Sequence, residues 1–581
     1  MTLKATLRKY RLVRYGQRVR QNCRTWLRTI GNEELRQRRH LSNEAFVSFK
    51  QKYQTLLRRN QNGHPSSRCA LVVSRRYPSI EVEVTLIKAL ELAGFRPVVL
   101  LMIQDKFLRR YYDLAGYDVV YWDPFGRAAE FNEAAANLLT ACRTQQDVLQ
   151  LEENGVRIGK NAVSTLLRQL RKGSLDLTSS NTKQKLSERL SFALGATAAA
   201  KDVLDELKPE ILLSVDIEYT PEGELYDSCL RTGVDVIRFE VAHKNNSLIF
   251  KRYTFDNRDE HFSTLSNESW NQILSLGWTK EHRNELDQEL YRSYITGDWY
   301  GGPGTQHNKR LVDTNELRKT LGLDPTRKNA VIFPHILWDA SLRWGVDLFR
   351  DYEEWLIETV RVACANDSVN WVIKVHPAHV GKNQKERFNG EPAEIVSLRK
   401  HLGELPPHIH LITPESEIST YSLFEIMDYC VTVRGTVGIE AAMRGIPVFT
   451  AGTGRYDRRG FTIDSTSREE YLERIKTIAE TARLSPQQQE LAERFAYGLF
   501  LLRPFPTTTV KFEFHGNGPI AKDWSRTKAH SNLESKINIS KPEEWAAATD
   551  LQIFANWINN ERNPDYLKDS SLGAQASPPA G

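Results

Sequence analysis

The sequence predicts an α/β protein with two units, each built around a parallel β-sheet that faces a central cleft. Two stretches of the chain alternate short apolar runs with segments of helical periodicity, a pattern typical of right-handed β–α–β crossovers. A glycine-rich stretch, GGPGT at 301–305, separates the two. Because ligands of doubly wound sheets bind beyond the carboxyl ends of the strands, this plan favours an enzyme with an interdomain cleft.

The elements follow from the apolar runs and their spacing. In the first unit we predict strands at 69–74, 97–102, 118–122, 211–215 and 234–241. Helices are expected there at 81–93, 106–114, within the long polar region 128–207, at 222–232 and at 261–294. In the second unit we predict strands at 330–333, 371–375, 409–412, 429–433 and 447–451, and helices at 344–365, 419–427 and 437–444. One last helix is predicted at 543–560.

These elements imply an order of domains along the chain. We predict a basic N-terminal arm (1–60), a first Rossmann-like domain (61–300), a linker (301–328), a second Rossmann-like domain (329–510), a C-terminal extension with a return helix (511–565) and a disordered tail (566–581).

The composition predicts a folded protein of a reducing compartment. Hydrophobic residues make up 40% of the chain and aromatic residues 10%, enough for substantial cores. The six cysteines are scattered and form no CxxC pair, so no zinc or redox site is expected. No apolar run reaches the roughly 18 residues of a membrane span, and the N-terminus has no signal-peptide core. We therefore expect a cytoplasmic protein.

The first 40 residues form a basic arm, with twelve lysines and arginines against Glu33 and Glu34. Two interpretations stay open. The arm is either a solvated basic helix or a segment that holds the protein at the anionic inner face of the cytoplasmic membrane, where each basic residue contributes about 1 kcal/mol. Charge alone would also allow nucleic-acid binding, but no nucleic-acid motif accompanies it, so no such partner is expected.

The segment VTVRGTVGIEAAMRGIPVFTAG at 431–452 carries the strongest local signal, an apolar strand followed at once by a helix. A glycine would allow the tight turn, a threonine could cap the helix, and the free backbone N–H groups would form a phosphate site. The predicted site comprises Arg434, Gly435, Thr436, Val437 and Gly438. Glu440, one turn later, could accept hydrogen bonds from ribose hydroxyls. The alternative is a helix that only caps and packs.

Two other strand ends carry polar residues. In WVIKVHPAH at 371–379, Lys374 and His376 could hold a phosphate leaving group, although a lone histidine is more often structural, and His379 is expected to be solvated. In AVIFPHILWDAS at 330–341, His335, Asp339 and Ser341 follow the strand. Asp339 either caps the next helix or acts as a catalytic carboxylate.

Together these segments resemble a family. The order of a D-x-S loop, a strand ending in K-x-H-P and the pattern G-T-x-G-x-E-A-x-x-x-G-x-P is similar to capsule polysaccharide biosynthesis proteins, which include the Kdo transferases of capsule export systems. The E-A-x-x-x-G-x-P part is shared more widely among GT-B glycosyltransferases. The resemblance covers about 329–471, whereas the first half of the chain matches only in its β–α–β plan.

The resemblance implies a GT-B-like fold with an N-terminal acceptor domain and a C-terminal nucleotide-sugar domain. By this likeness Lys374 and His376 face the donor phosphate, Glu440 faces the nucleotide sugar, and Asp339 lies near the reacting carbon. The Kdo transferases carry a glutamine several residues before this aspartate, whereas here His335 stands four residues before it. The donor sugar therefore stays open.

We accordingly predict a glycosyltransferase that moves a sugar from a nucleotide-activated donor, CMP-Kdo among the candidates, to a surface or capsular polysaccharide or its lipid-linked precursor. GT-B catalysis needs a base and a stabilised leaving phosphate, so neither metal nor cofactor is expected. If Asp339 only caps a helix, Asp216 and Glu218 after the strand at 211–215 are the next candidates for the base.

Two alternatives remain. The first is a non-catalytic scaffold that binds a glycan or a nucleotide within a polysaccharide assembly complex. The second, weaker alternative is a GT-B-like epimerase or a polyol-phosphate transferase.

Overall fold

The computed structural model describes residues 33–57, 67–306, 308–515, 527–561 and 563–568. Residues 1–32 of the predicted basic arm and 569–581 of the predicted tail lie outside this part of the chain. The described residues form a seven-stranded sheet, a six-stranded sheet and a two-stranded ribbon. Two α/β units with predominantly parallel sheets are thus present, which confirms the predicted fold class.

The strands in chain order are β1 (Cys69–Val73), β2 (Arg96–Met102), β3 (Asp118–Trp122), β4 (Ile211–Ser214), β5 (Asp235–Val241), β6 (Ser247–Tyr253), β7 (Lys328–Ile332), β8 (Val369–Lys374), β9 (Ile409–Ile412), β10 (Tyr429–Thr432), β11 (Val448–Thr450), β12 (Ile463–Asp464), β13 (Phe505–Pro506), β14 (Val510–Phe514) and β15 (Leu533–Ile537). The first sheet has the order β13-β6-β5-β4-β1-β2-β3, and the second has the order β12-β11-β10-β7-β8-β9.

The helices before the second sheet are α1 (Glu33–Leu57), α2 (Ile80–Leu92), α3 (Arg109–Ala115), α4 (Asn132–Thr140), α5 (Gln145–Leu149), α6 (Ile158–Leu170), α7 (Ser180–Leu207), α8 (Glu222–Arg231), α9 (Asn267–Leu274), α10 (Lys280–Thr296) and α11 (Thr314–Leu321). Those that follow are α12 (Tyr352–Cys364), α13 (Ala378–Glu386), α14 (Ala393–Leu402), α15 (Thr420–Phe424), α16 (Thr436–Ala442), α17 (Arg468–Lys476), α18 (Pro486–Tyr497), α19 (Glu544–Ala547) and α20 (Thr549–Asn560). None of these described helices is both long and apolar enough to cross a bilayer.

In each sheet the strand order changes direction once, at a central strand. The loops at these two positions face the cleft. In the first sheet β1 lies between β2 and β4, and all these pairs are parallel. In the second sheet β7 lies between β8 and β10, again in parallel. The loops that follow β1 and β4, and those that follow β7 and β10, therefore diverge and leave a crevice at each reversal. This topology brings the polar strand ends of both units to one cavity.

The apolar runs form strands because both faces of each sheet are covered. All five residues of β1 are buried. Ala70 and Val72 belong to the core on one face, whereas Cys69, Leu71 and Val73 belong to the core on the other. Successive side chains of a strand point to opposite faces, so a continuous apolar run is what a strand with two covered faces requires.

Packing divides the chain differently from the predicted boundaries. Leu286 and Leu290 of α10, and Leu317 of α11, belong to the core of the second unit, although the first unit was expected to extend to 300 and a linker to 328. After the second sheet the chain returns to the first unit. There β13 pairs with β6, and Phe554 and Trp557 of α20 join the core around β1. The last helix, predicted at 543–560, is divided between α19 and α20.

Two predicted helices begin later than expected. The helix expected at 344–365 begins at Tyr352, because Asp351 caps it with a side chain that accepts from Glu354 N. Ala340 and Gly345, with φ values of 51° and 56°, hold the preceding residues in a loop. The helix expected at 261–294 is two helices, α9 and α10. The first of these corrections matters for function because it separates Asp339 from the helix that it might have capped.

Candidate active site

A cavity of about 1270 Å³ lies between the two units. Its wall from the first unit includes Arg75, Asp216, Glu218, Tyr219 and Arg238. Its wall from the second unit includes His335, Asp339, His376, Lys382, Arg434 and Arg455. Two Rossmann-like units about a shared cleft give a GT-B-like arrangement, as the sequence predicted.

Asp339 is held by side chains of both units. Its Oδ1 accepts from the hydroxyl of Tyr219 at 3.0 Å, and its Oδ2 accepts from Lys382 Nζ at 2.7 Å. Burial alone would raise the pKa of Asp339, but the charges of Lys382 and Arg168 outweigh it and hold the pKa well below its ordinary value. Since the next helix starts at Tyr352, Asp339 does not cap it. Asp339 is instead a permanent anion at the junction of the two units.

His376 is a neutral hydrogen-bonding group at the cavity wall. Burial, with the nearby His379 and Lys382, lowers the pKa of His376 to about 3. Its Nδ1 accepts from the backbone N–H of Ala378 at 3.2 Å. The neutral ring therefore carries its proton on Nε2 and can act as a hydrogen-bond donor from that atom.

His335 connects the two strand ends at the reversal of the second sheet. Its Nε2 accepts from the backbone N–H of Arg434 at 3.2 Å, and its ring centre lies 4.7 Å from that of Tyr352. Burial and the charge of Arg434 hold the pKa of His335 well below its ordinary value. This neutral histidine fixes the position of Arg434 at the end of β10.

Arg434 and Arg455 form a buried pair of cations beside His335. Arg434 donates to Tyr352 at 3.0 Å and to Asp347. Arg455 donates to the backbone oxygen of Arg434 at 3.0 Å and to the hydroxyl of Thr436 at 2.7 Å. The Nε atom of each guanidinium is buried, and within the described residues it has no hydrogen-bond partner. Both guanidinium groups thus place positive charge at the cavity wall, which suits an anion.

Some residues of the predicted phosphate site do not line the cavity. The structure leaves Lys374, Gly435, Thr436, Val437, Gly438, Glu440 and Ser341 outside the lining. The backbone N–H of Gly435 donates to Thr432 Oγ1 at 3.2 Å, and Gly435 has a φ of −64°, so no left-handed turn requires the glycine. Gly435 itself occupies the N-cap position, so Thr436 does not cap the helix. The cavity meets this turn through the side chain of Arg434.

Lys374 and Glu440 serve the interior of the second unit. Lys374 is 2% exposed and donates to the backbone oxygen of Ile418 at 2.9 Å. Burial and the nearby Lys309 lower the pKa of Lys374 to about 7. Glu440 accepts from the hydroxyl of Tyr294, and burial raises its pKa to about 7. Spacing along the sequence placed both at the ligand edge, but their side chains turn into the protein.

His379 is buried rather than solvated, contrary to the prediction. It is 1% exposed, and its Nε2 lies 3.0 and 3.1 Å from the two carboxylate oxygens of Glu394. Glu394 also accepts from the backbone N–H of Leu337 at 3.3 Å. The pair therefore ties the loop that carries Asp339 to the helix that follows His376.

Asp216 and Glu218 lie in the opposite wall, at the end of β4. The backbone N–H of Glu218 donates to Asp216 Oδ1 at 3.3 Å, and the carboxylate of Glu218 pairs with Arg238. Burial raises the pKa of Glu218 to about 7; Arg238 opposes this rise and Asp216 adds to it. The pKa of Asp216 is lowered, because hydrogen bonding to Glu218 and the charges of Arg75 and Arg168 outweigh its burial. The two carboxyl groups thus differ in proton affinity.

Sequence reasoning missed much of the cavity lining, including Arg168, Tyr219, Lys382 and Arg455. Tyr219 follows Glu218 directly, so the strand-end argument could have included it. Arg168 lies in α6, and Lys382 lies in α13 beyond His376, where no strand end marks them. Within the described residues, no three His, Cys, Asp or Glu side chains are grouped as metal ligands.

Residues 287–488 match the model of a family described as capsule polysaccharide biosynthesis protein. No curated protein sequence matches the chain. Among solved structures, the β-Kdo 2,4-transferase KpsC of Thermosulfurimonas dismutans is 15% identical to this chain, with a TM-score of 0.31. The match covers 51% of this chain and 81% of the KpsC chain.

Two further structures are similar in part. The β-Kdo 2,7-transferase KpsC of the same organism is 18% identical, with 53% of this chain and 81% of that chain covered and a TM-score of 0.30. The UDP-GlcNAc 2-epimerase of Neisseria meningitidis bound to UDP-GlcNAc is 13% identical, with coverages of 74% and 96% and a TM-score of 0.25. It is the family match that confirms the resemblance seen in the sequence: residues 287–488 are similar to the capsule polysaccharide biosynthesis proteins.

Proposed function

We propose that the protein is a glycosyltransferase that moves a sugar from a nucleotide-activated donor to a glycan acceptor. One observation carries the proposal: the strand-order reversals of both sheets open onto one cavity, in which a carboxylate and a pair of buried arginines face shared space. The capsule-family match of residues 287–488 supports this chemistry. The same proposal has three finer parts. The acceptor is capsular or lipid-linked, CMP-Kdo is a candidate donor, and the protein acts at the cytoplasmic face of the membrane.

The donor phosphate is proposed to lie against Arg434, Arg455 and His376. Arg434 and Arg455 are cations in the cavity wall, and a neutral His376 can add an N–H bond from Nε2. Hydrogen bonds from ionised donors to phosphate are about twice as strong as neutral ones. As the bond between sugar and phosphate breaks, charge builds on the leaving oxygen, so fixed donors there stabilise the transition state.

Asp339 is proposed to stabilise the positive charge that develops on the sugar. Its low pKa keeps it anionic, and it makes the carboxylate a poor acceptor for a proton. The acceptor hydroxyl would bond to the anomeric carbon and lose its proton, while the nucleotide phosphate leaves with the electrons of the broken bond. Glu218, with its raised pKa, is the better candidate to receive that proton.

Nucleotide binding and donor turnover test the proposal together. A thermal-shift series with CMP, UDP, GDP and dTDP should reveal one preferred nucleotide, since a ligand at a hundredfold excess over its Kd stabilises the folded state by about 2.7 kcal/mol. The sugar donor of that nucleotide should then be hydrolysed slowly in the absence of an acceptor. Binding without any turnover would favour the scaffold alternative. No shift with any nucleotide would contradict the transferase and the nucleotide-binding form of the scaffold.

A further inference from the structure

We propose that the first-unit wall of the cleft binds the acceptor as a neutral, polyhydroxylated sugar and discriminates against acidic sugars. This inference rests on the proposed function and names the substrate class of its acceptor site. The acceptor wall is defined here by the loops after β1 and β4 and by the facing part of β5, with Arg75, Tyr77, Asp216, Glu218, Arg238 and Glu240.

The acceptor wall is a rigid structure at the strand-order reversal of the first sheet. Glu83 of α2 is 2% exposed and accepts from the backbone N–H groups of Arg75 and Tyr77, at 2.8 and 3.0 Å. It also accepts from the hydroxyl of Ser74 at 2.8 Å. One buried carboxylate thereby fixes the loop after β1. A site with fixed donors and acceptors can select a ligand by the pattern of its hydrogen bonds.

The arginines of this wall already face carboxylates or aromatic rings. Arg238 pairs with Glu218 and, at 3.3 Å, with Glu240. Arg75 pairs with Glu222 at 3.2 Å.

Two further cations near the wall also have partners within the protein. Arg168 lies 4.5 Å from the ring centre of Tyr219 and faces Asp339 and Asp216. Lys528 donates to the backbone oxygens of Ser531 and Leu533. A substrate carboxylate would therefore have to compete with an existing partner for each of these cations.

The opposite wall has a different balance of charge. There Arg434 and Arg455 are buried together, with Asp347 as the carboxylate hydrogen-bonded to Arg434. That surplus of positive charge suits the donor phosphate, whereas the acceptor wall offers alternating carboxylates and guanidinium groups. Sugar hydroxyls both donate and accept, so they can bond to each kind of group in turn.

A second anion at the acceptor wall would meet Asp216. This carboxylate is partly exposed in the cavity and accepts from the backbone N–H of Glu218 at 3.3 Å. Burial alone would raise the pKa of Asp216, but its hydrogen bond to Glu218 and the charges of Arg75 and Arg168 lower it, so Asp216 is an anion that a substrate carboxylate would face. A like charge within hydrogen-bonding distance disfavours ionisation of both groups, so a uronic acid would bind with a penalty that its neutral counterpart avoids.

Apolar surface completes the site. Arg238 lies 4.3 Å from the ring centre of Phe262 and 5.5 Å from that of Trp344, and both rings line the cavity together with Tyr77. The C–H face of a pyranose ring can pack on such aromatic surface, while its hydroxyls reach the carboxylates. The site therefore combines the two kinds of contact that a neutral sugar needs.

Matched pairs of glycosides test the proposal. The full-length protein, saturated with its preferred nucleotide, is titrated with p-nitrophenyl β-glucoside and β-glucuronide, and with the corresponding galactoside and galacturonide. Each pair differs only at C6, where a hydroxymethyl group replaces a carboxylate. Binding is followed by saturation-transfer NMR on the glycoside. We expect at least one neutral member to bind tenfold or more tightly than its acidic partner.

Two variants locate the effect. Asp216→Asn removes the charge with little change of shape, and we expect it to reduce the preference for the neutral sugar by about tenfold. Asp118→Asn is the control: Asp118 lies at the amino end of β3, where it pairs with Arg96 on the surface, and the preference should not change. Far-ultraviolet circular dichroism verifies that both variants are folded.

The outcomes are distinct. Equal or tighter binding of the acidic sugars, or no binding of any glycoside while nucleotide still binds, overturns this inference and leaves the proposed transferase in place. An unchanged preference in Asp216→Asn also overturns it. If neither nucleotide nor glycoside binds, the proposed function itself fails.

Discussion

The hydroxyl of Tyr219 joins the two units at Asp339. It donates to Asp339 Oδ1 at 3.0 Å and accepts from the backbone N–H of Ala340 at 2.8 Å. Tyr219 follows β4 of the first unit, whereas Asp339 follows β7 of the second. The same hydroxyl therefore fixes the proposed catalytic carboxylate and the left-handed backbone of its neighbour. Asp339 reaches this geometry only when the two walls of the cleft are close together.

The Tyr219→Phe variant should separate this role from binding. Loss of a hydrogen bond to a charged group costs about 1.5–3 kcal/mol, and each 1.36 kcal/mol on the barrier is a factor of about ten in rate. We therefore expect kcat for sugar transfer to fall roughly tenfold or more while the nucleotide Kd stays within about twofold. Tyr291→Phe, on an exposed face of α10, is the matched control and should leave both constants unchanged.

The low pKa of Asp339 predicts a pH dependence of stability with a definite sign. Because its pKa in the folded protein lies below the unfolded value of about 3.9, its ionised form stabilises the fold above that pH. We expect Asp339→Asn to be less stable than the wild type by about 1–3 kcal/mol near pH 6, and the difference to shrink as the pH falls below about 4. Urea unfolding at several pH values measures it; a constant difference down to pH 3 would contradict the ion pairing.

The Asp339→Asn variant should also be slower in sugar transfer. The amide is nearly isosteric but carries no charge, so it cannot stabilise a developing positive charge on the sugar. We expect nucleotide binding to stay close to normal and transfer to fall by about a hundredfold, the scale found when a group that stabilises transition-state charge is removed. Near-normal transfer to the true acceptor would leave Asp339 with only a structural role.

Much of the fold could be predicted from the sequence, because the spacing of apolar residues indicates which faces of a strand or helix are buried. The run CALVV at 69–73 is a strand with both faces buried, as its lack of polar residues indicated. Periodicity predicted a return helix near the C-terminus, but it could not predict which core residues that helix contacts. The contacts of Trp557 with the first core join residues far apart in the sequence, and no local pattern reports such contacts.

The candidate site was predictable only in part, for a similar reason. His335, Asp339, His376 and Arg434, which the sequence analysis selected at strand ends, line the cavity. Position on a strand does not determine the side-chain direction, so Lys374, at the last residue of β8, points to Ile418 O instead. Tyr219 and Lys382 come from different units, and their convergence on Asp339 depends on how the units are placed. Functional sites are where local rules and tertiary placement most often diverge.

The proposed phosphate site predicts a difference between nucleotides and nucleosides. Arg455→Met keeps most of the length of the side chain and removes its charge and its donors. We expect the preferred nucleotide to bind about tenfold or more weakly, since a charge-assisted bond to phosphate is lost. The corresponding nucleoside has no phosphate, so its affinity should change by less than about twofold. Isothermal titration of both ligands measures this, and equal losses would indicate a general disturbance of the fold.

His376 and His379 are three residues apart but should respond to substitution in opposite ways. His376 lines the cavity, whereas His379 is buried against Glu394. We expect His376→Ala to weaken nucleotide binding and to lower turnover by about a hundredfold, with little change in melting temperature. His379→Ala should instead destabilise the fold by about 3–5 kcal/mol, because it leaves Glu394 buried without that partner.

The pH profile gives the sharper test of His376. Its pKa of about 3 means that the ring stays neutral between pH 5 and 8, and donates from Nε2 throughout this range. Any limb that the wild-type profile of kcat/KM shows between pH 5 and 8 should therefore persist in His376→Ala. A limb near pH 6.5 that the substitution removes would show that His376 acts as a protonated acid. The donor phosphate would then be neutralised by a third cation in addition to Arg434 and Arg455.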